Sequence, residues 1–116
     1  DLAEAVAGES PQVDVLLAYA RIEQFRGQAE SARARLRQAT QIDGKSALAR
    51  LLYGDALLKA GKLDAASVEL DLALELDKSL VLARFALAQV RIGQGRHKDA
   101  LPLLEEAIKT LKIGPG

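Results

Sequence analysis

The sequence has no cysteine, no methionine and no tryptophan. Without cysteine there is no disulfide, no thiolate metal site and no thiol nucleophile. Such a chain suits an oxidising or a reducing compartment equally. Without methionine the sequence holds no start residue, and it is expected to be a segment cut from something longer. Aromatic residues are limited to Tyr19, Phe25, Tyr53 and Phe85. Charge of either sign is not in excess: sixteen basic residues balance sixteen acidic ones. That balance removes any global attraction to nucleic acid or an anionic membrane. No apolar run approaches the roughly 20 residues of a membrane span, and no signal-peptide pattern is visible. His97 is the sole histidine, and the further ligands a metal site would need are not obvious around it, so no metal and no cofactor are expected. There is no Ser–His–acid order, no glycine-rich phosphate loop and no dinucleotide fingerprint, so no enzyme is expected.

What the chain has is alanine and leucine, both favourable in helices, arranged at a fixed interval. Ala20, Gly54 and Ala88 are spaced 34 positions apart. The same step relates Gly27, Gly61 and Gly95; Ala32, Ala66 and Ala100; Leu36, Leu70 and Leu104; and Ala39, Ala73 and Ala107. A period of this length is the mark of stacked helix pairs, none of which buries its apolar stripe alone.

Six helices are predicted, at about 12–26, 29–42, 47–60, 63–77, 80–94 and 98–112. The glycines at 27, 61 and 95 act as helix stops. Ser10, Ser46 and Ser79 are expected as N-caps, and Pro102 is expected in the first turn of the last helix, where a missing N–H costs least. No strand-like alternation competes. Links of two to four residues make consecutive helices antiparallel neighbours. Residues 1–8 fall in register with the end of a second helix, and are read as the remnant of a preceding unit.

These columns resemble the tetratricopeptide repeat family, over about Val13 to Gly114. The family has a small residue midway along its first helix, here Ala20, Gly54 and Ala88, preceded by a large one, here Tyr19, Tyr53 and Leu87. Small residues near the start and middle of the second helix complete the pattern. The frequent early tryptophan is replaced by Leu16, Arg50 and Arg84, and the unit-closing proline survives only at Pro11. The resemblance implies an all-α, right-handed α-solenoid of three repeats plus a partial preceding helix. Residues 1–12 would be the remnant and cap, 13–46, 47–80 and 81–114 the repeats, and 115–116 a tail.

The resemblance also implies a concave face lined by first helices, which would hold another protein or a peptide. Its expected residues are Asp14, Leu17 and Arg21; Leu48, Leu52, Asp55 and Lys59; and Leu82, Phe85 and Gln89. Ala18, Gln24, Leu51, Leu58, Ala86 and Ile92 share that stripe, Leu51 and Leu58 being read mainly as packing between repeats. The basic-and-Asn clamp that some family members use for chaperone C-termini is absent, since Leu17, Leu52, Leu82 and Ala86 stand at its places.

Arg33, Arg35 and Arg37 beside Arg26 form a basic cluster. It is read as outer-surface ion pairing, Arg35 with Glu69 and Arg37 with Asp71, rather than as a phosphate site. The last helix is apolar on more than one side, so end-to-end self-association is expected. The function expected is a non-catalytic interaction scaffold, against the alternative of a spacer between flanking domains. The composition suits a bacterial source, with the periplasm expected ahead of the cytoplasm and an envelope or exopolysaccharide-export assembly as the analogous setting.

Overall fold

A computed structural model describes residues 10–112, which form six α-helices joined by short turns and no strand. They are α1 (Pro11–Phe25), α2 (Ala29–Ile42), α3 (Ala47–Lys59), α4 (Leu63–Leu76), α5 (Val81–Gly93) and α6 (His97–Leu111). The expected remnant at 1–8 and the tail from 113 lie outside the described residues.

The turn within each helix pair is dictated by one glycine. Gly27, Gly61 and Gly95 adopt φ of +77°, +78° and +78°, a region costly for residues with a Cβ. Each glycine donates to the carbonyl three residues back, and the next residue donates to the carbonyl five back. In the first pair these bonds are Gly27 to Gln24 at 3.1 Å and Gln28 to Glu23 at 2.8 Å; both recur after Gly61 and Gly95. This Schellman arrangement satisfies carbonyls left open at the helix end and reverses the chain.

The helix starts are less uniform. Ser10 and Ser46 accept from the N–H groups of Val13 and Ala49 at 3.2 and 3.0 Å, as side-chain caps do. Ser79 does not cap α5, contrary to the sequence expectation. The N-cap position falls on Leu80, and Ser79 is held instead by Asp77, whose carboxylate accepts from its amide and hydroxyl at 2.9 and 2.6 Å. Leu80 gives α5 packing against the core in place of a cap. Pro102 also departs from expectation. Because α6 begins at His97, the proline lies in the second turn, inside the helix.

The repeated small residues form the seams. Ala20, Ala32 and Ala39 are buried in the first hairpin, Gly54, Ala66 and Ala73 in the second, and Ala88, Ala100 and Ala107 in the third. Gly54 marks the tightest approach: a Cβ built on it would lie 2.7 Å from Leu70 Cγ. Leu36 and Leu70 are fully buried, whereas Leu104 of the same column is only half-buried because no helix lies beyond α6 among the described residues.

Two apolar clusters follow, one around α1, α2 and α3 and one spanning α3 to α6. Each helix packs on the next in sequence, and α3 also touches α5, so the helix pairs stack as an open array. A part-buried ion pair, Arg50 Nη1 to Glu69 Oε1 at 2.8 Å, ties α3 to α4. The junction between α4 and α5 is clasped by Arg91 Nη1 to Ser67 Oγ at 2.9 Å and Gln94 Nε2 to Asp64 Oδ1 at 3.0 Å.

Candidate functional site

First helices project residues every third or fourth position, so those one repeat apart line up across the array. Between α3 and α5 they enclose an open trough of about 400 Å³. Leu51, Leu52, Leu82, Phe85 and Ala86 supply its apolar surface, and Asp55, Lys59 and Gln89 its polar edge. Lys59 Nζ lies 3.0 Å from Asp55 Oδ2, one turn back, so this edge is an internally neutralised pair.

The trough brings together six of the ten expected residues: Leu52, Asp55, Lys59, Leu82, Phe85 and Gln89. Leu51 and Ala86, buried, form its floor. Asp14 and Arg21 are exposed on α1, and Leu48 is exposed on α3, all outside the trough lining. Leu17 departs from expectation. It is buried in the cluster with Ala49 and Ala56 of α3, where it packs between repeats.

Leu17, Leu51 and Phe85 share one register. The first two are covered by the following first helix, whereas Phe85 remains half-exposed. The register of Asp14, Leu48 and Leu82 is different in kind, since all three are exposed, Leu82 at 67%.

A second niche, of about 260 Å³, lies between the first and second hairpins and is lined by Gln24, Ala29, Arg33, Ala56, Lys59 and Ala60. Arg33 belongs to the arginine cluster, which the structure disperses. Residues two apart on a helix point about 200° apart, so Arg35 cannot share a face with Arg33 and Arg37. Arg35 Nε meets Glu23 Oε1 at 3.3 Å, and its guanidinium lies 4.3 Å from the centre of the Tyr19 ring. The expected pairing of Arg35 with Glu69 therefore does not form, because each has a nearer partner: Glu23 for the arginine, Arg50 for the glutamate. Arg37 makes no ion pair with Asp71, and both are exposed.

Sequence reasoning missed Glu23, a buried carboxylate. Its only signal was an acidic residue where the later units carry Leu57 and Arg91. His97 is exposed at the start of α6. Among the described residues no group of three or more His, Asp or Glu could hold a metal ion, and no helix is long and apolar enough to cross a membrane.

Residues 26–80 match the family model described as tetratricopeptide repeat. No curated protein matches the sequence. Among solved structures, the first repeat domain of Spaghetti (RPAP3), bound to the HSP90 peptide SRMEEVD, is similar at TM-score 0.85 and 16% identity, over 92% of this chain and 87% of that one. A crystal structure of MamA is similar at TM-score 0.79 and 24% identity, over 94% of this chain and 62% of that one. A MamA mutant gives TM-score 0.77 and 23% identity, over 87% of this chain and 74% of its own. Identities this low speak for the fold alone. With its all-helical fold, its 34-residue register and these neighbours, the chain has the fold of tetratricopeptide repeat arrays, and its residues 26–80 match that family's model.

Proposed function

We propose that the chain is a non-catalytic interaction scaffold whose trough between α3 and α5 holds an apolar stretch of a partner polypeptide. One observation carries this reading. The register that holds Leu48 and Leu82 holds Asp14 in the first hairpin, and all three are exposed. The fold therefore accepts a charge there, and packing does not require leucine. Exposed large apolar residues bordered by polar ones mark a surface that a partner covers. The peptide bound by the Spaghetti domain supports the same mode, a polypeptide laid on an array of this fold.

The test is selection of binding peptides from a displayed library against the whole chain. Leu82→Glu is expected to weaken a selected peptide at least tenfold, and Leu48→Glu to weaken it less, with the thermal melt unchanged. A spacer would bind its peptides equally well after both changes, or yield none.

We place the scaffold in a bacterial envelope or exopolysaccharide-export assembly, periplasmic rather than cytoplasmic. Support comes from the Ala-, Leu- and Arg-rich, Cys-free composition and from the settings in which similar arrays occur. Fractionation of source cells, with the protein found in the cytoplasm, would contradict that placement.

A further inference from the structure

We infer that the niche between the first and second hairpins takes the carboxylate of an acidic residue from the same partner segment, with Arg33 and Lys59 as the cations that receive it. This deepens the reading of the trough and rests on it.

The chain builds a junction between neighbouring hairpins twice, α2 on α3 and α4 on α5, and the two are filled differently. The niche in the first is lined by Gln24, Ala29, Arg33, Ala56, Lys59 and Ala60. One repeat on, the same positions are Leu58, Leu63, Ser67, Val90, Gly93 and Gln94. There Leu58 and Leu63 pack against the core and Val90 is fully buried. Leu63 sits so close to α5 that a Cβ built on Gly93 would lie 3.1 Å from its Cδ1. Ser67 and Gln94 are also engaged, both accepting from Arg91. In the first junction the smaller Ala29 stands for that leucine and Ala56 for the valine, and a space of about 260 Å³ stays open. Described helices form it from both sides, α1 and α2 on one and α3 on the other, so it is not an end face of the array.

The charged groups around this space are cations. Arg35, Arg50 and Arg91 bond to Glu23, Glu69 and Ser67. Arg33, in contrast, makes no side-chain hydrogen bond among the described residues. Its side chain is only 20% exposed, and the carboxylate it approaches, that of Glu30, stands 4.0 Å away on a side chain 94% exposed. A guanidinium carries five donors, and taking them from water without a partner is costly. An acceptor seated in the niche satisfies them.

Lys59 borders both spaces, lining the niche on one side and the trough on the other. A polypeptide laid in the trough can therefore pass a side chain beyond Lys59 into the niche. The ammonium is already matched by Asp55 at 3.0 Å, so the uncompensated charge is mainly that of Arg33. That suits a carboxylate, singly charged and able to accept from arginine in bidentate fashion, better than a phosphate with nearly twice the charge. None of Leu17, Leu52, Leu82 and Ala86, where a chaperone clamp would stand, lines this niche.

Titration calorimetry of the whole chain with peptides selected against it tests the inference, each peptide being paired with a version whose acidic residue is changed to the amide. Selected peptides are expected to carry Asp or Glu at a fixed spacing from their apolar anchor. The amide version is expected to bind about tenfold more weakly at low salt. Arg33→Gln is expected to cause the same loss and to leave the amide change without further effect, and Lys59→Gln to cause a smaller one. Ala29→Leu copies the filled junction. It is expected to erase the preference for the acid while the apolar anchor stays bound, with the thermal melt no lower.

Affinity that ignores both Arg33→Gln and the amide change, while Leu82→Glu still weakens binding, overturns the inference and leaves the trough reading standing. A library that yields no binder, or binders indifferent to Leu82→Glu, overturns both. A melt lowered by Arg33→Gln at unchanged affinity assigns the arginine to folding and overturns the inference too. A phosphoserine peptide that binds more tightly than its glutamate counterpart overturns the choice of a carboxylate.

Discussion

Gly54 shows how one missing methyl group sets the spacing of two helices. Ala20 and Ala88 hold the same register, yet at Gly54 a Cβ would lie 2.7 Å from Leu70 Cγ and 2.8 Å from its Cδ2. Leu70 is fully buried and has nowhere to retreat. Alanine would gain about 1 kcal/mol in helix propensity but lose about 1–3 kcal/mol to overpacking. Gly54→Ala is expected to destabilise the chain by about 1 kcal/mol in urea unfolding, against the usual gain from Gly→Ala in a helix. A second single-residue prediction concerns Asp77. The Ser79 hydroxyl and then the Ser79 amide, both donating to it, hold its carboxyl below the ordinary value of 3.8. The lowered value means the ionised form supports the fold above the unfolded pKa, and that support is lost as pH falls through the folded value. An NMR titration should find Asp77 below the ordinary aspartate midpoint, and Ser79→Ala should move it back up. The small-residue columns were legible because only close approach explains alanine and glycine at one interval. Glu23 was not, because the helical period reports which face is buried and not which buried carboxylate will find an arginine.

At the scale of the element, the turns were readable and the caps only partly so. A left-handed φ nearly demands glycine, so the three stops show directly in the sequence. Serine caps are less decisive, since a shift of one residue removes the function. Ser46→Ala should cost about 1 kcal/mol, with α3 losing its cap. Ser79→Ala should leave α5 unaffected, and hydrogen exchange at the two helix starts separates the cases. Pro102 breaks the ladder of α6 at the bond its N–H would make to the carbonyl of Lys98. Pro102→Ala is expected to stabilise the chain by about 1–3 kcal/mol, read as a raised Tm. The ion pairs were misjudged because sequence spacing of one repeat counts only neighbours along the stack. Arg35 and Glu69 each found a partner on an adjacent helix instead, at 3.3 and 2.8 Å.

For the whole molecule, the described residues span 40 × 35 × 23 Å with a Cα radius of gyration of 14.8 Å. A compact chain of this length would have a radius nearer 13 Å; the excess reflects an open array with a concave side. The trough could be anticipated because a period of 34 copies each first-helix register across the stack. Leu17 could not be told from Leu82 by that means. Both are leucines on one helical stripe, but Leu17 shares the register of Leu51, which is buried in the next repeat as well, whereas Leu82 shares the register of Asp14 and Leu48, which is bare in every hairpin. The most direct measurement is a chemical-shift map of the whole chain titrated with a peptide selected against it. The account predicts the largest changes at Leu52, Leu82, Phe85 and Gln89. Changes concentrated instead on the outward faces of α2, α4 and α6 would contradict it.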